Sequence, residues 1–138
     1  MNIDFIREHR DGTIAGVIYG DLPNKSNSRR LFNGRSIKSQ AALDFVERVC
    51  LSAGLIKAPL VGATNKKDFL KGIPFIELSV HVHADSFKRD LDCELIPDAL
   101  QKAGVVKNDR AIREKHLWWT FDEKNPRIEF EIRLIPRK

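Results

Sequence analysis

Asp90 and Asp92 stand one residue apart, directly after Lys88-Arg89, and a third acid, Asp109, follows further along the chain. In extended backbone, residues i and i+2 point to the same side with Cα atoms about 6.5 Å apart, so the two carboxylates can share one small volume. Bare carboxylates held about 4 Å apart repel by about 4 kcal/mol at an effective dielectric of about 20. A hard cation removes that cost, and Mg2+ is commonly held by one or two carboxylates together with waters and substrate phosphates. The competing reading is a charged loop that holds nothing. Deciding between them turns on the elements that position these acids.

The best-patterned of those elements precedes the pair. Ile76, Leu78, Val80, Val82 and Ala84 alternate with Glu77, Ser79, His81 and His83, the mark of a half-buried strand. His81 and His83 share its polar face, where a histidine pair is more often solvated than a ligand set. After the acids, Asp98 to Ala103 reads as a helix with Gly104 as its stop. Pro97 leaves two entries open: the helix starts at Pro97, or a short turn from Cys93 to Ile96 precedes it with a kink. Past Asp109 come a β-rich run, Ile112 to Phe121, a turn at Asp122 to Pro126, and a final alternating strand, Ile128 to Leu134. Trp118 and Trp119 are adjacent on a strand and face opposite ways. One belongs to the core; the other is exposed, at an interface, or stacked on a base.

Upstream, Ile3 to Ile6 and Thr13 to Tyr19 read as strands around an Asp11-Gly12 turn. Ser39 caps a helix to about Ala53 with Gly54 as a left-handed stop; Phe45 and Val49 are its core candidates. Gly20 to Lys38 has no sustained period and reads as a loop. It carries Lys25, Arg29, Arg30, Arg35 and Lys38 with Asn27 among them, either a solvated segment or an arm that tracks phosphates. Lys57 to Gly72 reads as a connector.

The 138 residues fit one domain spanning 1–138, with no internal repeat. The fold class is α+β: a mixed sheet of about five strands, in the order β-β-α-β-α-β-β, with helices packed on one face. At 42% hydrophobic and 31% charged the chain is globular rather than disordered. No apolar run reaches the ~20 residues of a membrane span and no signal-peptide core opens the chain, so a cytoplasmic location without membrane partners is expected. Cys50 and Cys93 are too few for a disulfide framework and are expected as reduced thiols, Cys50 as a small buried hydrophobe. The net charge of +5 favours a polyanionic partner.

Arg89-Asp90-Leu91-Asp92, then Asp98-Ala99-Leu100-Gln101-Lys102-Ala103-Gly104-Val105-Val106 and Asn108-Asp109, resemble the RusA-like Holliday junction resolvases of bacteria and their phages. Pro23-Asn24-Lys25-Ser26-Asn27 is similar to that family's Pro-x-x-Ser-Asn loop. The resemblance implies a homodimeric, Mg2+-dependent endonuclease acting on branched DNA (the four-way junction) in recombination and repair, with Mn2+ as a substitute ion. Asp90, Asp92 and Asp109 would be its catalytic, metal-binding carboxylates. Lys25, Asn27, Arg29, Arg30, Arg35, Lys88 and Arg89 are the candidates for nucleic-acid binding.

The chain also departs from the family pattern. Cys93 stands where Asn usually follows the second Asp, Asn108 where a second acid can occur, and no Lys occupies the first helical turn. Lys88 or Lys102 would have to replace that Lys, and Glu94 is a further candidate for the metal shell. Two other readings therefore remain: a non-catalytic or weakly active junction-binding module of the same fold, and an interaction protein whose acids are loop charges.

Overall fold

A computed structural model of the chain describes residues 3–20, 29–32, 35–38, 40–54, 63–86, 95–106 and 108–135, with backbone alone for 29–32, 35–38 and 109. The strands are β1 (Phe5–Glu8), β2 (Ile14–Tyr19), β3 (Arg29–Phe32), β4 (Arg35–Lys38), β5 (Ile76–Ala84), β6 (Ile112–Phe121) and β7 (Arg127–Leu134). The helices are α1 (Gln40–Ala53), α2 (Lys66–Leu70) and α3 (Leu95–Lys102), with a 3-10 turn at Asp109–Ala111. Five strands form one mixed sheet in the order β1-β2-β7-β5-β6, and β3 and β4 form a separate pair. The α+β expectation and the five-stranded sheet hold.

β5 lies between β7, to which it is antiparallel, and the edge strand β6, to which it is parallel. Parallel neighbours need a crossover connection, and α3 lies within it. Ile76, Leu78, Val80, Val82 and Ala84 are buried with Ile14 and Ile18 of β2 and Ile128, Phe130 and Ile132 of β7. Phe45, Val46 and Val49 of α1 and Ile96, Ala99 and Leu100 of α3 close over them in one core. The alternate residues point to the opposite, open face. Trp119 packs against the core while Trp118 is exposed on the open face. Cys50 is only partly buried against the core.

Several expectations need correction. Within Gly20 to Lys38, expected as a loop, β3 pairs antiparallel with β4, Arg29 opposite Lys38 and Phe32 opposite Arg35. The two strands are joined in sequence by Asn33-Gly34, a dipeptide suited to hairpins. The Lys57 to Gly72 connector contains α2, capped by Asn65, whose Oδ1 accepts from the Asp68 N–H at 2.8 Å. Gly54 does not take the left-handed conformation expected of it: its N–H donates to the Leu51 carbonyl at 3.3 Å, and φ there is not positive. Gly104 does, with φ +77, behind α3. That helix starts at Leu95, so Pro97 falls in its first turn. The first four N–H groups of a helix have no intrahelical partner, and the proline costs no bond there. Ser39, the expected cap of α1, lies outside the described residues.

A polar tie fixes the N-terminal segment to the core. Asp4 Oδ1 accepts from the Tyr19 N–H and Arg48 Nη2, and Oδ2 accepts from Arg48 Nε, each at 2.8 Å. The two-pronged Arg-carboxylate geometry links the end of β2 to α1. Among the described residues no helix is long and apolar enough to cross a membrane.

Gly16 sits where the sheet leaves no room for a side chain. A Cβ there would stand 2.5 Å from Phe130 Cζ and 2.9 Å from the Phe5 carbonyl oxygen. The ring could shift, but the backbone oxygen is held by strand pairing. Gly16→Ala is expected to destabilise the chain by about 1–3 kcal/mol, the usual cost of overpacking. Urea unfolding with an unchanged midpoint would refute this.

Candidate functional site

Of the three expected acids the structure describes Asp109 alone, and its backbone only. Asp90 and Asp92 lie outside the described residues, as do Lys25, Asn27, Lys88, Arg89, Cys93 and Glu94. Arg29, Arg30 and Arg35 lie on the β3–β4 pair. Asp109 opens the 3-10 turn that leads into β6, and the preceding Asn108 accepts the Arg110 N–H on Oδ1 at 2.9 Å. Lys102, one substitute for the missing helix lysine, closes α3 with its Nζ 3.9 Å from Asp98 Oδ2.

The parallel register pairs Ile76 with Ile112 and Ala84 with Phe121. Asp109, three residues before Ile112, is therefore at the end of the sheet where β5 begins. The segment carrying Asp90 and Asp92 departs from where β5 ends. Nine strand residues cover about 26 Å, whereas the eight residues of α3 rise only about 12 Å.

On the open face the structure brings together groups that local sequence did not connect. Register sets Glu129 of β7 opposite His81 of β5, and Trp118 of β6 opposite His81 on its other side. Arg127 is likewise opposite His83, which faces Thr120 across β6. The His81 and His83 rings lie 3.9 Å apart between centroids, and Trp118 stacks on His81 at 4.9 Å. Thr120 Oγ1 is 2.9 Å from His81 Nε2 and 3.4 Å from His83 Nδ1. Glu129 Oε1 stands 2.9 Å from His83 Nε2 and 2.9 Å from Arg127 Nε.

His83 departs from the solvated state expected of it: only 8% of the residue is exposed. Its Nε2 makes no hydrogen bond despite the short approach of Glu129, because the carboxylate oxygen lies off the direction a bond would need. The 2.9 Å separation is real proximity, but it is not a hydrogen bond.

A shallow depression of about 280 Å³ adjoins this cluster, lined by Phe5, Val17, Trp118 and Glu131 beside His81 and Glu129. A second group, Glu77, Glu114 and His116, lies further along the same face and is more exposed. His116 Nε2 is 2.9 Å from Glu114 Oε1. Arg127 also donates through Nη1 to Asp122 Oδ2 at 2.9 Å, which holds the Asp122 carboxyl below its ordinary value.

Glu129, Thr120 and Arg127 were not singled out by sequence reasoning. The available signal was that Arg127, Glu129 and Glu131 alternate with the apolar residues of the last strand, but its pairing with β5 is a tertiary fact. No protein-family model matches the chain, and no curated protein matches it.

Burial, and then the charge of His83, lower the pKa of His81 below the ordinary 6.5, while Glu129 opposes them. The unfolded chain therefore takes up a proton at His81 before the folded one does. The stability contributed is complete above about pH 6.5 and is lost as pH falls through the folded value. Thermal melts should show stability falling from neutral pH toward about pH 5, and the fall should be shallower in His81→Asn. Parallel pH profiles for the two proteins would count against the assignment.

Proposed function

We propose that the chain is a Mg2+-dependent, structure-selective DNA endonuclease of the RusA-like kind, cutting four-way junctions by phosphodiester hydrolysis to leave a 5′-phosphate and a 3′-hydroxyl. The observation that carries this most is the parallel β5–α3–β6 crossover in a mixed sheet, with Asp90-Leu91-Asp92 in the connection before α3 and Asp109 at the entry to β6.

Convergence of the three carboxylates requires residues 85–92 to run back toward the start of β5. From Ala84, six residues of extended chain reach Asp90 at about 20 Å and eight reach Asp92 at about 27 Å, against a strand of about 26 Å, so convergence requires this connection to be close to fully extended. An all-oxygen donor set suits a hard divalent ion, and Asp90, Asp92 and Asp109 would hold it. When bound, the ion activates water and stabilises the charge that develops on the phosphate.

The protein's own groups supply position. Lys88 and Arg89 would bring a phosphate beside the acids, and Lys25, Asn27, Arg29, Arg30 and Arg35 would track the backbone. Arg29, Arg30, Arg35 and Lys38 all belong to the β3–β4 pair, which concentrates cations on eight residues. The open sheet face is a poor surface for phosphates by comparison, since Glu77, Glu114, Glu129 and Glu131 outnumber Arg7, Arg127 and Arg133 there. A two-fold homodimer would match two sites to two strands of a symmetric junction.

Asp90→Asn is expected to retain junction binding while Mg2+-dependent cleavage of a labelled four-way junction falls at least about a hundredfold. Cleavage by that variant at the parent rate would remove Asp90 from the site. A parent protein that binds the junction to saturation and leaves its strands intact with Mg2+ would instead be a binding module without catalysis.

A further inference from the structure

We propose that His81, His83 and Glu129 form a site for one divalent transition-metal ion of the zinc class on the open face of the sheet. This site is separate from the Asp90, Asp92 and Asp109 set and does not rest on the nuclease reading.

The strands supply the preorganisation. His81 and His83 are i and i+2 on β5, and Glu129 is held opposite His81 by the β5–β7 register. One ring nitrogen of each histidine and a carboxylate oxygen of Glu129 lie within 4.8 Å of one another. Tetrahedral coordination with bonds of about 2.0–2.2 Å places ligand atoms about 3.3–3.6 Å apart. Side-chain rotations close the difference without moving a strand.

A second observation points to a ligand. His83 is more than nine-tenths buried, and its Nε2 has no hydrogen-bond partner, yet a carboxylate oxygen stands 2.9 Å away. A buried polar atom left without a partner is destabilising. A cation between the nitrogen lone pair and the carboxylate satisfies both.

Thr120 sets the tautomers this needs. Its hydroxyl oxygen has two lone pairs and can accept a proton from each ring, from His81 Nε2 at 2.9 Å and His83 Nδ1 at 3.4 Å. His81 Nδ1 and His83 Nε2 are then bare, and Thr120 is the outer partner that metal-binding histidines usually have.

Two imidazoles and one carboxylate suit zinc and its neighbours rather than Mg2+. Three protein ligands leave a fourth position open, and the adjoining depression lies beside His81 and Glu129. Arg127 competes for the site. Its Nε shares Glu129 Oε1, and it must give up that contact when the ion binds, keeping Nη1 on Asp122 Oδ2 and the Asn125 carbonyl.

The test uses the full chain, stripped with chelator and titrated calorimetrically with Zn2+, with Co2+ absorption as a coordination readout. One equivalent is expected to bind, with tetrahedral Co2+ bands and no competition from millimolar Mg2+. His81→Ala and Glu129→Gln are each expected to weaken Zn2+ binding roughly tenfold or more. Both leave the buried His83 in place, and circular dichroism checks their folding. His116→Ala and Asp90→Asn are expected to bind as the parent does. Absence of stoichiometric binding, binding indifferent to His81→Ala and Glu129→Gln, or binding lost with His116→Ala or Asp90→Asn would each overturn the proposal.

Discussion

Everything on this sheet depends on the period-two constraint along β5. Ile76, Leu78, Val80 and Val82 are driven under α1 and α3, and burying each aliphatic side chain is worth about 1.5–3 kcal/mol. The same burial obliges Glu77, Ser79, His81 and His83 to share the other face. A slip of one residue would exchange the two sets entirely, so the hydrophobic core also fixes the histidine pair. The neighbours add what β5 lacks: β7 contributes Glu129 and Arg127, and β6 contributes Thr120 and Trp118. Gly16 lets the Phe130 ring lie across β2 and keeps that side of the sheet closely packed.

How much of this was legible depended on whether a signal was local. The strands at Ile76 to Ala84 and Ile112 to Phe121 have the ends that apolar alternation and the Asp122 to Pro126 turn imply. The helix core of Phe45 and Val49 follows from its spacing, and both are buried. The β3–β4 pair escaped because Arg29, Arg30, Ser36 and Lys38 break any apolar alternation; only the Asn33-Gly34 dipeptide announced it. Pro97 misled for a related reason. Its penalty applies only where an N–H is needed, and the first turn of α3 needs none. α2 is too short to show a period.

The histidines illustrate the opposite limit. Their sharing of a face was legible from β5 alone, but the burial of His83 was not. That burial comes from strands remote in sequence, which set Arg127 opposite it and Thr120 at its other side. Glu129 arrives diagonally, from the position opposite His81. The sequence motif behind the nuclease reading runs the other way: Asp90-Leu91-Asp92 is conspicuous as a string of residues, and the backbone contributes the crossover that brackets it and the position of Asp109 at the start of β6.

Electrostatics separates the two regions. The open face carries carboxylates balanced locally, Arg127 against Asp122 and Glu129, Arg133 against Glu131, and His116 against Glu114. Phosphates approaching it would meet acids already committed to partners, whereas the β3–β4 pair carries Arg29, Arg30, Arg35 and Lys38 with no acid among its strand residues. Arg127 is the pivot of the balanced face. It joins the Asp122 turn to Glu129, and its charge helps to lower the pKa of His81 against the pull of Glu129. A histidine beside a glutamate would ordinarily gain a proton more readily. Here burial, His83 and Arg127 together outweigh that carboxylate, and the net shift of His81 is downward.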